Sequence, residues 1–94
     1  MSREEIESTL VSILGKYGAL KIGLFGSYAR GEQRPDSDLD VLVDFVDRKS
    51  LLTLVRIERE LSENLGIKVD LLTEQAISPY LVDRIKADLK VIYQ

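Results

Sequence analysis

Apolar residues near the start of the chain recur at helical spacing. Five of them fall on one face of a predicted helix: Ile6, Leu10, Ile13, Leu14 and Tyr17. Ser2 and Glu5 have the Ser-x-x-Glu form of a capping box, and Gly18 is typical of a helix end. The pattern therefore predicts a first helix over about residues 3–17.

Short apolar runs between polar turns predict four strands. Residues 21–25 and 39–46 form two of these runs, and only Asp40 and Asp44 interrupt the second. Residues 67–72 form a third run, and residues 89–93 form a shorter fourth. Residues 27–30 directly follow the first strand and have the length of a single helical turn.

Two further helices are predicted in the second half of the chain. Ser50 is a suitable N-cap and Gly66 a suitable end for the first of them. The buried face of this helix is expected to carry Leu51, Leu54, Val55, Glu58, Leu61 and Leu65. Pro79 suits the first turn of the next helix, whose apolar residues are Leu81, Val82 and Ile85. Helices and strands thus alternate, which predicts an α/β (α+β) fold class, a small mixed sheet of about four strands with helices packed on it.

Length and composition narrow the class of protein. Ninety-four residues, 45% hydrophobic and 31% charged, predict one globular domain over residues 1–94. No apolar run approaches the roughly 18 residues of a membrane span, and the charged start lacks the apolar segment of a signal peptide, so a cytoplasmic location is expected. A net charge of −3 disfavours nucleic acid as the main partner. Cysteine and histidine are both absent, so acid–base or metal chemistry must use carboxylates, Lys, Tyr or the metal itself.

The segment Gly26-Ser27-Tyr28-Ala29-Arg30-Gly31 has the composition of a phosphate-binding turn. Gly26 allows a close approach of the backbone, Ser27 offers a hydroxyl, and the N–H groups of the turn favour an anion. Arg30 lies one turn further on and can reach the same phosphates. The alternative is a plain strand-to-helix turn, and the spacing fits neither a Walker A loop nor a dinucleotide fingerprint.

Asp38 and Asp40 form an Asp-x-Asp pair at the start of an apolar strand. Residues two apart in a strand share a face, so the two carboxylates repel each other unless a cation bridges them. Mg²⁺ suits such a pair, because it binds one or two carboxylates together with phosphate oxygens. The alternative is a solvated strand end. An EF-hand loop is excluded because Val41 and Asp47 occupy the positions of its Gly and Glu.

Asp70 is a second charge inside an apolar run, between Val69 and Leu71. If its strand neighbours that of Asp40, Asp70 completes a cluster of three carboxylates, ligates a metal and accepts a proton from an attacking hydroxyl. If not, it is an Asp at a strand edge that faces water.

Taken together, Gly26-Ser27, Asp38-Leu39-Asp40 and Asp70 resemble the DNA polymerase beta-like nucleotidyltransferase superfamily. The likeness is to its smallest members, the minimal nucleotidyltransferases of the antitoxin type, whose hallmark is Gly-Ser, a short gap, Asp-x-Asp and a third Asp on a later strand. The order of elements agrees over nearly all 94 residues.

The resemblance implies transfer of a nucleoside monophosphate, AMP from ATP, to a hydroxyl, with release of pyrophosphate. It implies two Mg²⁺ ions, both ligated by Asp38 and Asp40, with Asp70 as the third catalytic carboxylate and metal ligand. It further implies that Gly26 and Ser27 hold the β- and γ-phosphates. Arg30 matches a position that is usually basic, which implies a role in binding phosphate.

The resemblance also implies a partner. Minimal nucleotidyltransferases pair with a helical HEPN-domain protein, commonly an RNase toxin, and the better understood ones silence it by adding AMP to a tyrosine. Larger members of the superfamily carry a second domain for the acceptor, so here a partner protein or a second copy of the chain would complete that site. Two alternatives remain open: a non-catalytic module that neutralises its partner by contact, and a small-molecule nucleotidyltransferase with a helper subunit.

Overall fold

The computed structural model describes residues 2–94, which form four α-helices, one 3₁₀-helix and four β-strands. In chain order the helices and strands are α1 (Arg3–Lys16), β1 (Ala19–Phe25), α2 (Gly26–Arg30), β2 (Leu39–Phe45), α3 (Leu51–Leu65), β3 (Val69–Thr73), α4 (Pro79–Asp88) and β4 (Lys90–Tyr93). The 3₁₀-helix (Glu74–Ala76) follows β3 and is the one element that the sequence analysis did not predict. The described helices include none that is long and apolar enough to cross a membrane.

The four strands form one mixed sheet in the order β3-β2-β1-β4. β1 is antiparallel to both β2 and β4, whereas β2 and β3 are parallel. The parallel pair requires a crossover connection, and α3 provides it. The predicted fold class, a small mixed sheet with helices packed on it, is confirmed.

The main hydrophobic core lies on one face of this sheet, beneath α1 and α3. Alternate residues of β2 point into it, and Leu39, Val41 and Val43 are fully buried. Asp40 and Asp44 alternate with these buried residues, so they point to the opposite face of the sheet, where both are only half-buried. On that second face α4 packs near β1, where the Leu89 side chain lies directly against the backbone of Gly23.

The helix ends follow the predicted capping residues. Ser2 and Glu5 form the capping box of α1, with each side chain bonded to the other's backbone N–H. The Ser50 hydroxyl accepts a hydrogen bond from the Thr53 N–H at the start of α3. Gly66 ends the same helix with a φ of 70°, a left-handed conformation that glycine adopts without a steric penalty.

The predicted buried face of α3 is partly wrong. Leu61 and Leu65 are buried as expected, but Leu51 and Val55 are exposed and Ile57 is fully buried instead. The apolar residues in the first turn of α3 lie on both sides of the helix, so spacing alone could not show which side meets the sheet. Leu81 of α4 is likewise 46% exposed, whereas Ile85 is buried as predicted.

Candidate active site

Asp40 and Asp70 lie directly opposite each other on β2 and β3 in parallel register. Both point away from the main core, because the neighbours of Asp40 in the chain are fully buried there and Asp70 lies between the buried Val69 and Leu71. Paired residues of neighbouring strands project to the same side of a sheet. The two carboxylates therefore share one face, which is the strand neighbourhood that the sequence analysis required of Asp70.

Asp38 immediately precedes β2 and lies near both of these residues. The Leu39 N–H donates to the Lys68 carbonyl at 2.8 Å, which joins the start of β2 to the segment before β3. The Lys68 Nζ lies 3.7 Å from Asp38 Oδ2. Negative charge on Asp38 acts on both Asp40 and Asp70, so all three predicted carboxylates lie in one electrostatic neighbourhood.

Two side chains of α3 hold the backbone on either side of Asp70. The Val69 N–H donates to Ser62 Oγ at 3.0 Å, and the Leu71 N–H donates to Glu58 Oε2 at 2.9 Å. These N–H groups lie on the outer edge of β3, where no further strand pairs with them. Ser62 and Glu58 thus act as positioning residues for Asp70.

Sequence reasoning missed the positioning role of Ser62 and Glu58, but one signal for it was present. Helical spacing puts the charged Glu58 on the same predicted face of α3 as its apolar residues. A carboxylate in such a position needs a hydrogen-bond donor. The partner, a backbone N–H thirteen residues later, depends on the crossover and cannot be read from the helix alone.

Gly26 brings the start of α2 against Asp40. Its φ is +72°, and a Cβ atom at this position would overlap Asp40 Oδ2. Phe25, the residue before it, is the register partner of Asp40 on β1. A side chain at position 26 would therefore occupy the space of the carboxylate, and glycine is required both for its conformation and for its lack of a Cβ. Ser27 follows in the same helical turn.

Burial and mutual repulsion raise the pKa of two of the carboxyl groups. Burial is the larger cause for Asp40, followed by the charges of Asp70 and Asp38, and the Arg30 charge acts in the opposite direction. Burial also raises the pKa of Asp70, with a further contribution from the Asp38 charge. Such a site disfavours its own negative charge and gains from a bound cation.

Arg30 is engaged by two carboxylates. Its guanidinium donates to Asp88 Oδ2 at 2.6 Å and to Glu32 Oε2 at 3.2 Å, and both bonds raise the pKa of Arg30. The bond to Asp88 ties α2 to the end of α4. Arg30 is near enough to influence Asp40, but its donors are directed to Asp88 and Glu32. Its predicted contact with phosphate stays a prediction.

The three carboxylates are of the chemical type that binds Mg²⁺, but their side chains are not gathered into a metal site. Within residues 2–94, no group of three or more Asp or Glu side chains is gathered closely enough to hold a metal ion. The donor set still fits a hard cation, because carboxylate oxygens with raised pKa values on one sheet face are the ligands Mg²⁺ prefers. Asp38, Asp40 and Asp70 as ligands stay a prediction.

A small mixed sheet with Asp38, Asp40 and Asp70 beside a Gly-Ser turn is the arrangement expected of a nucleotidyltransferase. Comparison with known proteins agrees with this class. The family described as Nucleotidyltransferase domain matches residues 4–92. A Methanocaldococcus jannaschii protein named "Putative protein adenylyltransferase MJ0435" is 51% identical over 85 residues, which cover 90% of this chain and 91% of that protein. The chain therefore belongs to the nucleotidyltransferase domain family. The resemblance to the minimal nucleotidyltransferases is confirmed.

Two solved structures have the same fold. A crystal structure described as the toxin-antitoxin with AMP-PNP is similar with a TM-score of 0.86 and 26% identity, covering 93% of this chain and 72% of that one. A structure of a tri-AMPylated Shewanella oneidensis HEPN toxin in complex with MNT antitoxin is similar with a TM-score of 0.82 and 21% identity, covering 98% of this chain and 72% of that one. The second likeness, at its lower identity, shows the fold alone.

Proposed function

We propose that this chain transfers AMP from ATP to a protein hydroxyl, a tyrosine of a HEPN-type toxin, and so acts as an antitoxin. The observation that carries the proposal is the register of Asp40 with Asp70, which puts two carboxylates of raised pKa side by side next to Asp38 and Gly26. The names of two similar proteins support a protein acceptor and an antitoxin role: a protein adenylyltransferase, and a toxin-antitoxin crystallised with AMP-PNP.

The proposed reaction is an in-line displacement at the α-phosphorus of ATP. The acceptor oxygen forms a bond to that phosphorus, the bond to the bridging oxygen of the β-phosphate breaks, and pyrophosphate leaves. The proton of the acceptor hydroxyl passes to Asp70, whose raised pKa suits a general base. Asp70 is held in place for this role because α3 bonds to the backbone on both sides of it.

Asp38 and Asp40, with Asp70, would hold two Mg²⁺ ions. When bound, the ions would supply positive charge to the transferring phosphoryl group and to the leaving oxygen. Gly26 and Ser27 would hold the β- and γ-phosphates at the start of α2, where Gly26 leaves room beside Asp40. Arg30 would reach the same phosphates after release from Asp88 or Glu32.

The test follows a label from the α-phosphate of ATP. The purified chain is mixed with Mg²⁺, α-labelled ATP and a HEPN-type protein that co-purifies with it from its source, and the label on that protein is measured after electrophoresis. We expect label on the HEPN-type protein with the wild-type chain and its loss in Asp38→Asn and Asp40→Asn. Asp83→Asn is the matched control, since it makes the same change at an exposed position on α4.

The alternative function is neutralisation of the partner by contact alone. The exposed apolar side chains of Leu51, Leu52 and Val55 on α3 offer a contact surface and favour it. A stable complex with no label in the wild-type mixture would support this alternative and overturn the transferase proposal. Label transfer by Asp40→Asn at the wild-type rate would overturn the assignment of the site.

A further inference from the structure

The outward face of α3 is both apolar and cationic. Leu51, Leu52 and Val55 are 79, 65 and 53% exposed. Arg56 and Arg59 continue the same side of the helix, at the spacing of residues that are neighbours on a helix surface. Neither arginine forms an ion pair with any residue from 2 to 94. We call these five residues the α3 surface.

A cavity of about 230 Å³ lies beside the α3 surface, between the end of β2, the start of α3 and the 3₁₀-helix. Its apolar walls come from Phe45, Leu54 and Ala76, with Leu51 shared with the α3 surface. A cavity of about 150 Å³ holds benzene, so this one has room for one large apolar side chain.

Some charged side chains around the cavity have an ion-pair partner, and others have none within the described residues. Lys49 Nζ lies 2.7 Å from Asp47 Oδ1 and 5.3 Å from the centre of the Phe45 ring, so its positive charge has partners. Arg48 also lines the cavity, is exposed, and has no ion pair within the described residues.

Asp44 and Glu74 also line the cavity; Glu74 Oε1 lies 3.7 Å from Lys21 Nζ, and Asp44 has no ion pair within residues 2–94. Arg48, Arg56 and Arg59 therefore exceed the one unpaired carboxylate around this apolar surface, on a chain whose net charge is −3.

This region is separate from the carboxylate site. Phe45 lies five residues beyond Asp40 on β2, a distance of roughly 16 Å at the rise of an extended strand. A protein bound at the α3 surface would leave the face of Asp40 and Asp70 open. α3 connects the two regions, because Glu58 and Ser62 of the same helix bond to N–H groups on the outer edge of β3.

We propose that the α3 surface and its cavity dock the acceptor protein, through a segment that bears one large apolar side chain flanked by Asp or Glu residues. The charge complementarity argues for this occupant: three unpaired arginines around exposed leucine and valine match an acidic and apolar partner surface. The inference rests on the proposed function in taking the acceptor to be a protein. It adds where that protein binds, outside the residues that perform transfer.

The test measures binding and transfer separately, with the HEPN-type protein that co-purifies with this chain as the probe. Binding is measured without ATP by calorimetry for the wild type, Arg56→Glu/Arg59→Glu and Val55→Asp. These residues are exposed, so the variants are expected to fold, which circular dichroism checks. Arg84→Glu/Lys86→Glu on α4 is the matched control, because it changes the net charge equally at exposed positions.

We expect the α3 variants to weaken binding about tenfold or more, and the control to bind like the wild type. With α-labelled ATP, the same α3 variants should raise the KM for the acceptor protein about tenfold while kcat stays near the wild-type value. Raising the salt concentration should weaken wild-type binding more than that of Arg56→Glu/Arg59→Glu.

The outcomes for docking and for transfer can be told apart. In one outcome the wild type binds the HEPN-type protein without labelling it, and the α3 variants do not bind. This outcome supports the docking surface and overturns the transferase proposal. Label transfer with wild-type KM in the α3 variants overturns the docking surface and leaves the transferase proposal standing. No binding by the wild type overturns the docking proposal. A wild-type dimer in sedimentation that is absent in the α3 variants also overturns it, because the occupant of the surface is then a second copy of this chain.

Discussion

Asp40 and Asp70 are direct partners in the parallel register of β2 and β3. Neighbouring strands are about 4.8 Å apart, and like charges placed opposite each other destabilise a sheet. The cost is visible at Asp40, whose pKa is raised by burial and then by the charges of Asp70 and Asp38. The pKa of Asp70 is raised by burial and by the Asp38 charge. A sheet selected for stability alone would not keep this pair, which is why the register points to a function that uses negative charge.

The first prediction concerns pH and stability. Each raised pKa means that the folded protein holds the proton more tightly than the unfolded chain does. The stability that Asp40 and Asp70 contribute therefore falls as pH rises from about 4 through the raised values. Asp40→Asn removes one of the repelling charges, so we expect it to melt a few degrees above the wild type at pH 7 without Mg²⁺. The measurement is thermal unfolding followed by circular dichroism from pH 3 to 8.

Below about pH 4, where the carboxyl groups are protonated in both states, the advantage of Asp40→Asn should disappear. Adding Mg²⁺ at pH 7 should raise the melting temperature of the wild type more than that of the variant, since the ion binds the deprotonated groups. An Asp40→Asn variant less stable than the wild type at pH 7 without Mg²⁺ would contradict the repulsion argument.

The second prediction separates two requirements for glycine. Gly26 and Gly31 both have a φ of 72°. A Cβ at Gly26 would meet Asp40, whereas a Cβ at Gly31 would have no atom of residues 2–94 within 4 Å. Replacing either by Ala costs about 1–2 kcal/mol for the left-handed conformation. We expect Gly31→Ala to lose only this stability and to keep activity. Gly26→Ala should lose more stability and nearly all label transfer, because the carboxylate of Asp40 must move.

Chemical denaturation gives the stability of these variants, and the α-labelled ATP assay gives their activity. Equal losses of stability in the two glycine variants, with activity kept in both, would show that the space beside Asp40 is not needed.

Much of the fold follows from local signals in the sequence. The capping box of Ser2 and Glu5, the N-cap Ser50 and the terminating Gly66 fix helix ends through contacts within a few residues. Alternating burial along β2 follows from its pattern, and Asp40 is half-buried between buried neighbours as that pattern requires.

Sequence reasoning could not reach features that depend on distant parts of the chain. The strand order and the parallel register of Asp40 with Asp70 arise from the crossover through α3. The hydrogen bond from Arg30 to Asp88 joins residues that lie 58 positions apart in the chain. The buried face of α3 was mispredicted at Leu51 and Val55 because two possible faces were apolar in that turn, and only packing on the sheet distinguishes them.

The third prediction tests the support for Asp70. Glu58→Ala removes the acceptor of the Leu71 N–H and should cost about 1–2 kcal/mol of stability. Glu58→Gln keeps an acceptor oxygen and removes a charge that raises the pKa of Asp70. We therefore expect Glu58→Gln to remain close to wild-type stability, and to shift the acidic limb of the pH–rate profile for label transfer to lower pH.

Urea unfolding measures the stability of both Glu58 variants, and initial rates of label transfer from pH 4 to 8 give the profile. The positioning role would be refuted if Glu58→Ala were as stable as Glu58→Gln. An unshifted profile in Glu58→Gln would mean that Asp70 is not the group whose protonation limits the rate.

The last prediction concerns whether Arg30 binds phosphate or only joins α2 to α4. Its bonds to Asp88 and Glu32 are exposed ion pairs, which contribute little to stability. If Arg30 contacts the phosphates of ATP, Arg30→Ala should raise the KM for ATP about tenfold, as expected for loss of a charge-assisted hydrogen bond. Asp88→Ala removes the acceptor and so breaks the same link between α2 and α4 but frees the guanidinium, so its KM for ATP should be equal to or below that of the wild type. Steady-state label transfer at varied ATP distinguishes the two roles: equal increases in KM for both variants would show that Arg30 serves only to hold the helices together.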